Sequence, residues 1–483
     1  MAQNCMAGLS RRELVLGASA YSLGGTLLSG AALADDTAIR LFELRAAPGK
    51  AALRAPPSSI TKLWTYNGSV PGPAIRARQH ERLRIVVNNG LNEDTTVHWH
   101  GLRIPNSMDG VPHLTQVPIG SGDAFRYDFV VPDAGTYWYH PHQRSFEQVG
   151  RGLYGALIIE ESDPPRVDRE LTWVLDDWRL SKSGAISETF GNRHDAAHNG
   201  RVGNAVTVNG RLPGDVTLRR GERIRLRLIN AANARIFGLE FQGHEPVVIA
   251  LDGQPVAPHA PDGGVVVLGP GMRADLIIDA AAAGGDRFSV HDRFYTGLEY
   301  KLLDLAYDEE QLRQRTPDWP MELPANPLPE PDTAAAGRHE VMFQGGMMGG
   351  MVMQDMNVSP SQDRMMAMQR MMHDGKVWFI NGVAAEGHVM EPMLTLRQDR
   401  SYVLAMTNAT AWHHPIHLHG HSFRVIARNG VPTRFREWQD TVLMAPRERV
   451  EIAFVADNPG DWMFHCHILE HQAAGMKGVI RVA

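Results

Sequence analysis

Apolar and polar residues alternate along many short segments of the chain. Residues 126–131 and 449–454 are two examples. Because successive side chains of a strand point to opposite faces, this alternation predicts strands that turn one face toward a core. Gly, Pro and Asn separate the segments, as expected for turns between strands, and helical periodicity is scarce. The pattern therefore predicts an all-β fold.

An Asn-Gly turn followed by an alternating strand occurs three times along the chain. The turns begin at Asn67, Asn209 and Asn381. A length of 483 residues also suits about three domains. We predict three Greek-key β-sandwich domains joined by a Pro-rich linker, with domains at 36–163, 164–308 and 338–483 and the linker at 309–337. The middle domain is interpreted as a spacer.

Composition narrows the class of protein further. Apolar residues make up 43% and charged residues 21% of the chain, with 47 Gly and 30 Pro, which is typical of a globular, turn-rich protein. The net charge is −6, and no basic patch indicates a nucleic-acid partner. After the N-terminal region, no apolar run is long enough to cross a membrane.

The first 34 residues have the pattern of an export signal. Arg11 and Arg12 precede a mostly apolar stretch, and small residues before Asp35 suggest a cleavage site. We predict a twin-arginine signal peptide over residues 1–34, export by the twin-arginine machinery and a periplasmic location. The alternative is a disordered or membrane-anchoring start. Removal of the signal would leave Cys466 as the only cysteine, so no disulfide within the chain is expected.

Ten histidines, Cys466 and one methionine form four short motifs. Imidazole and thiolate are donors that copper prefers, and a site of two His, one Cys and a distant Met is typical of electron-transfer copper. The candidate metal ligands are His98, His100, His140, His142, His414, His417, His419, His465, Cys466, His467, His471 and Met476.

Alternation along a strand predicts how these ligands divide. In His465-Cys466-His467 the two imidazoles would point to one face and the thiol to the other. Cys466 would then share a single copper with His414, His471 and axial Met476, while the eight remaining imidazoles suit three further coppers between the first and third domains.

These motifs resemble those of the three-domain multicopper oxidases, which include laccases and copper-tolerance oxidases. The resemblance covers essentially all of the chain after the signal and implies cupredoxin-like domains and four coppers. His414, Cys466, His471 and Met476 resemble the type 1 ligands, and His98 and His417 the type 2 pair. The type 3 ligands implied for one copper are His100, His140 and His467, and for the other His142, His419 and His465.

The same resemblance implies the reaction. A small reducing substrate, such as a phenol, an aromatic amine or Cu(I), would lose one electron at a time at type 1 copper. Dioxygen would take four electrons at the trinuclear cluster and become two waters. Met476 as axial ligand favours easily oxidised donors.

Two acids are candidates for delivering protons to oxygen. Asp109 resembles the family acid near the cluster, although an acidic turn residue before Gly110 would look the same. Many bacterial relatives carry Glu directly after the last type 1 histidine, whereas this chain has Gln472. Glu470 is the candidate substitute.

Residues 342–372 contain 11 of the 22 methionines. Thioethers favour Cu(I), so this insert is a candidate for copper handling, while an apolar helix that merely packs is the alternative. The Asp and Met that copper-efflux relatives place before the His-Pro motif are missing from residues 410–413. A transferred Cu(I) site is therefore not expected there.

Two other classes of function fit part of the pattern. One is a periplasmic copper-binding or copper-sequestering protein that uses the methionines, and the other is a cupredoxin scaffold without catalysis. Complete ligand motifs argue against the scaffold. They also argue against two-domain nitrite reductases, which lack the trinuclear set.

Overall fold

The computed structural model describes residues 39–55, 60–358, 362–373, 375–387 and 391–483. The predicted signal peptide lies outside these residues. Strands dominate the described chain, so the predicted all-β fold is confirmed. Among the described residues, no helix has the length and apolarity needed to span a membrane.

Residues 39–160 form the first β-sandwich. Its two four-stranded sheets have the orders β2-β1-β4-β6 and β3-β8-β7-β5. In β4, Leu83, Ile85 and Val87 are buried while the residues between them are half-buried, as the alternation predicts. The strands are β1 (Ile39–Ala51), β2 (Thr61–Tyr66), β3 (Gly72–Arg78), β4 (Arg82–Asn89), β5 (His98–His100), β6 (Ala124–Val130), β7 (Gly135–His140) and β8 (Gly155–Glu160).

Residues 169–307 form the second sandwich. A six-stranded sheet of order β10-β9-β12-β17-β14-β15 faces a five-stranded sheet of order β11-β19-β18-β13-β16 across an apolar core. The strands are β9 (Arg169–Trp178), β10 (Ala205–Val208), β11 (Val216–Leu218), β12 (Arg223–Asn230), β13 (Phe237–Phe241), β14 (Val247–Leu251), β15 (Gln254–His259), β16 (Val265–Leu268), β17 (Arg273–Asp279), β18 (Arg287–Asp292) and β19 (Tyr300–Tyr307).

Residues 337–483 form the third sandwich. One sheet has the order β21-β20-β23-β29-β25-β26, with β27 also paired to β25, and the other has the order β22-β31-β30-β24-β28. The strands are β20 (Gly337–Gly345), β21 (Trp378–Ile380), β22 (Leu394–Leu396), β23 (Ser401–Asn408), β24 (His414–Leu418), β25 (Phe423–Arg428), β26 (Val431–Pro432), β27 (Trp438–Gln439), β28 (Thr441–Met444), β29 (Arg449–Val455), β30 (Gly460–Cys466) and β31 (Lys477–Val482).

The three Asn-Gly turns have the same geometry in all three sandwiches. Asn67, Asn209 and Asn381 have φ of 52°, 53° and 52°, and each is followed by a glycine with positive φ. Asn and Gly are the residues that accept this left-handed pair of conformations in a tight hairpin. The domain boundaries drawn from this repeat stay a prediction.

Helices are short, and most lie near the ends of strands. They are α1 (Ser145–Gln148), α2 (Arg193–Ala197), α3 (Gly349–Asp355), α4 (Gln362–His373) and α5 (Leu469–Ala473), with 3-10 turns at Asn106–Met108 and Asp262–Gly264. Residues 309–336 form neither helix nor strand. Within that segment, Asn326 donates to the carbonyl oxygen of Ala134 and to Gln254, so it contacts the first two sandwiches.

Candidate metal centre

Eight histidine rings meet where the first and third sandwiches touch. Strand pairing aligns His98 with His140 in one sandwich and His417 with His465 in the other. Across the boundary, His98 stacks on His419 with 4.0 Å between ring centroids, and His100 stacks on His417 at 3.9 Å. The cluster, which we call the histidine cluster, consists of His98, His100, His140, His142, His417, His419, His465 and His467, all buried.

Many ring nitrogens of this cluster have no hydrogen-bond partner among the described residues. A buried polar atom without a partner costs free energy, so such atoms are rare unless a ligand satisfies them. The unpaired atoms are His98 Nε2, His100 Nδ1, His140 Nε2, His142 Nε2, His417 Nε2 and both nitrogens of His467. Metal ions would satisfy them, so the residues present fit the copper cluster that the sequence suggests.

Backbone carbonyls fix the tautomers of several rings. Nδ1 of His98, His417 and His465 donates to the carbonyl oxygen of Asp109, Asp440 and Cys466 at 2.8, 2.9 and 2.9 Å. A carbonyl oxygen only accepts, so each ring keeps a free electron pair on Nε2. These hydrogen bonds therefore hold the three rings so that Nε2 is the nitrogen available to a metal ion.

Within the histidine cluster, the ring nitrogens of His419 and His465 lie close together. Their Nε2 atoms lie 3.1 Å apart, while Nδ1 of His419 donates to Asp109 at 2.9 Å. With both Nδ1 atoms donating, two lone pairs face each other across this gap. A shared cation removes that repulsion.

Burial also keeps the cluster rings neutral. It lowers the pKa well below the ordinary value of about 6.5, and neighbouring rings lower it further, because a charged imidazole loses its hydration there. The residues concerned are His100, His140, His142, His419, His465 and His467. Neutral imidazole is the form that binds metal.

The predicted ligand groups are brought together as follows. Within the histidine cluster, donor atoms within 4.8 Å of one another form three sets made only of histidines, which are His142 with His419 and His465, His98 with His417 and His419, and His98 with His100 and His140. The His467 ring lies 4.9 Å from His100 and 5.2 Å from His140. All eight rings therefore lie next to one another. His98 and His419 each belong to two of these sets, whereas the resemblance assigns each ring to a single copper.

Asp109 lies directly against the cluster. Its backbone carbonyl accepts from His98, and its carboxylate accepts from Nδ1 of His419. Gly110 follows with φ +83°, and a Cβ there would come within 1.9 Å of the Val97 carbonyl oxygen. Only glycine lets this turn press Asp109 against the rings.

An acid that sequence reasoning missed, Asp440, contacts the same rings. Its Oδ1 lies 3.2 Å from His100 Nε2 and 3.3 Å from His417 Nδ1. Arg273 of the second sandwich donates to that oxygen at 2.9 Å. Although burial by itself would raise the pKa of Asp440, Arg273 holds it well below the ordinary value. The sequence offered one weak signal for this pair, since Arg273 begins the apolar strand β17 and Asp440 directly precedes the apolar strand β28.

A second group of ligands lies within the third sandwich. His414 Nδ1 and His471 Nδ1 lie 3.5 and 3.8 Å from Cys466 Sγ, and 3.2 Å from each other. The three residues are buried, as is Met476, whose carbonyl accepts from the Cys466 amide. We call His414, Cys466, His471 and Met476 the cysteine site.

The outward ring nitrogens of the cysteine site are already occupied. His414 Nε2 donates to Thr410 Oγ1 at 2.9 Å, and His471 Nε2 donates to the His198 carbonyl oxygen at 2.6 Å. Both Nδ1 atoms are left with free electron pairs beside the sulfur. Burial raises the pKa of Cys466, so the thiol stays protonated unless a metal ion takes the proton's place. This donor set fits copper as well.

Glu470 and Gln472 flank the ligand His471 on α5, but they have different hydrogen-bond partners. Glu470 accepts from the Arg201 amide and from Asn233, both in the second sandwich, each at 3.1 Å. Among the described residues neither of its oxygens bonds to a histidine. Gln472 lies 3.3 Å from His142 Nδ1 and accepts from Ser145 at 2.7 Å. Of these two residues, Gln472 is therefore the one that contacts the histidine cluster.

The second sandwich contributes to both centres, because it supplies Arg273 near the histidine cluster and the His198 carbonyl at the cysteine site. Interpreting it only as a spacer is therefore incomplete.

Three sandwiches with buried histidine and cysteine donors define a copper-dependent oxidoreductase, and comparison with known proteins identifies the family. Multicopper oxidase family profiles match residues 50–164, 169–302 and 357–483. The multicopper oxidase MmcO of Mycobacterium tuberculosis is 32% identical over 447 residues, covering 86% of this chain and 82% of that protein.

Solved structures agree with this assignment. A multicopper oxidase from Pseudomonas parafulva is 37% identical with a TM-score of 0.78, covering 92% of this chain and 100% of that one. A Campylobacter jejuni multicopper oxidase described as a metallo-oxidase is 28% identical with a TM-score of 0.75, covering 92% and 91%. The chain belongs to the multicopper oxidases. It is a copper-dependent oxidase that reduces dioxygen, as the family resemblance implied, and its domains are cupredoxin-like.

Proposed function

We propose that the chain holds four copper ions, one at the cysteine site and three in the histidine cluster. The observation that supports this is the convergence of buried, neutral ring nitrogens and one buried thiol in two adjacent groups. His98 and His417 would hold the type 2 copper. The type 3 coppers would be held by His100, His140 and His467 and by His142, His419 and His465. When bound, the coppers supply one-electron oxidation at the cysteine site and four-electron reduction of dioxygen in the cluster.

The protein's own part in this chemistry is to connect the two centres and to hold the rings. Cys466 is bonded along the chain to His465 and His467, so only a few covalent bonds separate a ligand of one site from ligands of the other. The Asp109 carboxylate accepts from His419 Nδ1 and lies 3.2 Å from His98 Nδ1, so it would hold a proton beside the cluster for the reduction of dioxygen. Glu470, with both oxygens bound to the second sandwich, would serve instead to position α5.

For the reducing substrate we propose metal ions, Cu(I) in particular, with phenols and aromatic amines as further donors. The Campylobacter jejuni relative described as a metallo-oxidase supports metal ions. So do exposed methionines of the insert, among them Met347, Met348, Met351, Met365 and Met366. Thioethers hold Cu(I) better than harder ions.

We also propose that the enzyme is exported by the twin-arginine machinery to the periplasm and protects against copper there. The arginine pair at residues 11–12 and the single remaining cysteine support export. Oxidation of Cu(I) to Cu(II) in the periplasm would be the reaction that confers copper resistance.

The decisive experiment compares copper-loaded wild type with Cys466→Ser. Wild type should show the strong blue absorption of a thiolate-bound cupric ion and should consume oxygen with a phenol or with Cu(I). Cys466→Ser should bind about one copper fewer and lose both properties, since serine supplies no thiolate. Cys5→Ser, made in the full chain, is the matched control and should keep both.

Colourless wild type at full copper loading would contradict the proposed type 1 centre. Survival of copper resistance in cells carrying Cys466→Ser would instead favour the alternative, a copper-sequestering protein that works through its methionines.

A further inference from the structure

A short segment of the second sandwich lies over the cysteine site and joins it to the surface. Three hydrogen bonds fix it to the third sandwich. Trp378 Nε1 donates to the Ala196 carbonyl oxygen at 2.6 Å, the Met347 amide donates to Ala197 at 2.8 Å, and His471 Nε2 donates to His198 at 2.6 Å. Residues 196–198 are therefore held directly outside a ligand of the cysteine site.

Two histidines, His198 of this segment and the nearby His194, have imidazole rings that are not ligands in the proposed cofactor sites. His194 and His198 are four residues apart, and their rings stack with 4.2 Å between centroids and 14° between planes. His198 Nδ1 donates to the His194 carbonyl oxygen at 2.7 Å, so the electron pair of its Nε2 is left for a ligand. The His194 side chain is 78% exposed. Two neighbouring imidazoles can bind one metal ion together.

The backbone of Met347, a residue of the methionine-rich insert, lies next to the pair. Met347 is tied to the segment through its amide, and its carbonyl accepts from Trp412 Nε1 at 3.1 Å. The Trp412 ring in turn meets His198 edge-on at 5.4 Å. Met347 and Met348 are 50% and 53% exposed. Imidazole and thioether together select Cu(I) over the hard cations of the medium.

We propose that His194 and His198, with the thioether of Met347, form the docking site for Cu(I) as a substrate. This proposal rests on the proposed function. An ion on the His198 ring would be connected to His471 through the covalent bonds of His198 and the hydrogen bond from His471 Nε2 to the His198 carbonyl. Each Cu(I) loses one electron and leaves as Cu(II). Four such electrons, with four protons and one dioxygen, give two waters, so electrons and atoms balance with the oxidant that the enzyme already uses.

The site also accounts for a departure noted in the sequence. Residues 410–413 lack the Asp and Met that efflux-type relatives carry, and here Trp412 of that segment packs against His198 instead. Docking is thereby moved from the third sandwich to the boundary with the second.

The test measures binding with Ag(I), a soft ion that resembles Cu(I) but is not oxidised by the enzyme. Copper-loaded wild type and His194→Ala/His198→Ala are titrated with Ag(I), and bound ions are counted after dialysis. The double variant should bind about one Ag(I) fewer. Its kcat/KM for Cu(I), divided by that for a phenol, should fall roughly tenfold or more. Both substitutions keep the carbonyl that accepts from His471.

His259→Ala is the matched control, because His259 is another histidine of the second sandwich, stacked on Phe435 at 4.1 Å. It should bind as much Ag(I) as wild type. Blue absorption reports whether the type 1 centre is intact in each variant. If the double variant has lost it, His194→Ala alone replaces it, since that ring is exposed.

An unchanged Ag(I) count together with an unchanged ratio of the two kcat/KM values would overturn the proposed docking site. That result is distinct from failure of the proposed function, in which wild type itself would oxidise neither Cu(I) nor a phenol.

Discussion

Histidine binds copper through an unprotonated nitrogen, and burial maintains that state in the cluster. The low pKa of rings such as His140 and His467 follows chiefly from lost hydration. The carbonyls and carboxylates behind the rings decide which nitrogen carries the hydrogen. Sequence spacing revealed the rings and the family resemblance indicated Asp109, but Asp440 was missed because it has no motif of its own.

Asp109→Asn should lower the rate of oxygen consumption by about 100-fold, the usual contribution of a general acid, while copper content stays at the wild-type level. An amide oxygen can still accept from His419 Nδ1, so the ring keeps its orientation, but the amide cannot deliver a proton. Steady-state oxygen uptake and metal analysis measure the two effects.

Asp128→Asn is the control, because Asp128 is an aspartate of the same sandwich that pairs with Arg82 and Arg84 rather than with a ring. Wild-type oxygen consumption by Asp109→Asn would reject a proton-transfer role.

A single strand, β30, supplies ligands to both centres. Its end places Cys466 in the cysteine site and His465 in the histidine cluster, which agrees with the alternation expected of a strand. The methionine-rich insert is less uniform. Its first member, Met342, belongs to β20, and the insert then forms α3 and α4. Packing holds for Met368, which contacts Phe379, while copper handling by the exposed thioethers stays a prediction.

Met368→Ala should lower the local stability of α4 by roughly 2 kcal/mol or more, because truncation leaves a cavity beside Phe379 and Ala384. Met365→Ala, on the same helix but 47% exposed, should change stability by less than about 0.5 kcal/mol. Hydrogen exchange of the α4 amides compares the two variants. Equal effects would show that Met368 does not anchor the helix.

At the scale of the whole molecule, the second sandwich supports the histidine cluster through hydrogen bonds to the first and third sandwiches. Arg273 donates to Asp440 of the third sandwich and to the Thr136 carbonyl of the first, so one guanidinium joins all three. Asp440 in turn meets His100 and His417, which come from the two sandwiches that carry ligands.

Arg273→Gln should destabilise the protein by about 3–5 kcal/mol, since it leaves the buried charge of Asp440 without its partner. It should also weaken copper retention in the histidine cluster more than at the cysteine site, which Arg273 does not touch. Denaturant unfolding, copper analysis and the blue absorption separate these effects.

Arg287→Gln serves as the control, because Arg287 is an exposed arginine of the same sandwich, paired with Asp215 and Asp304. It should leave copper content unchanged. Equal copper loss from both centres in Arg273→Gln would indicate general unfolding rather than support of the cluster.

The sequence by itself determined the all-β fold, the family and the four ligand motifs. Alternation and His-x-His spacing are local properties, set by neighbours along one strand, so they can be recognised without tertiary contacts. Only the tertiary structure decided which rings meet, that Gln472 rather than Glu470 touches the cluster, and that the second sandwich supports both centres. Arg273 and Asp440 are 167 residues apart in the chain, and only the packing of one sandwich against another brings such residues together.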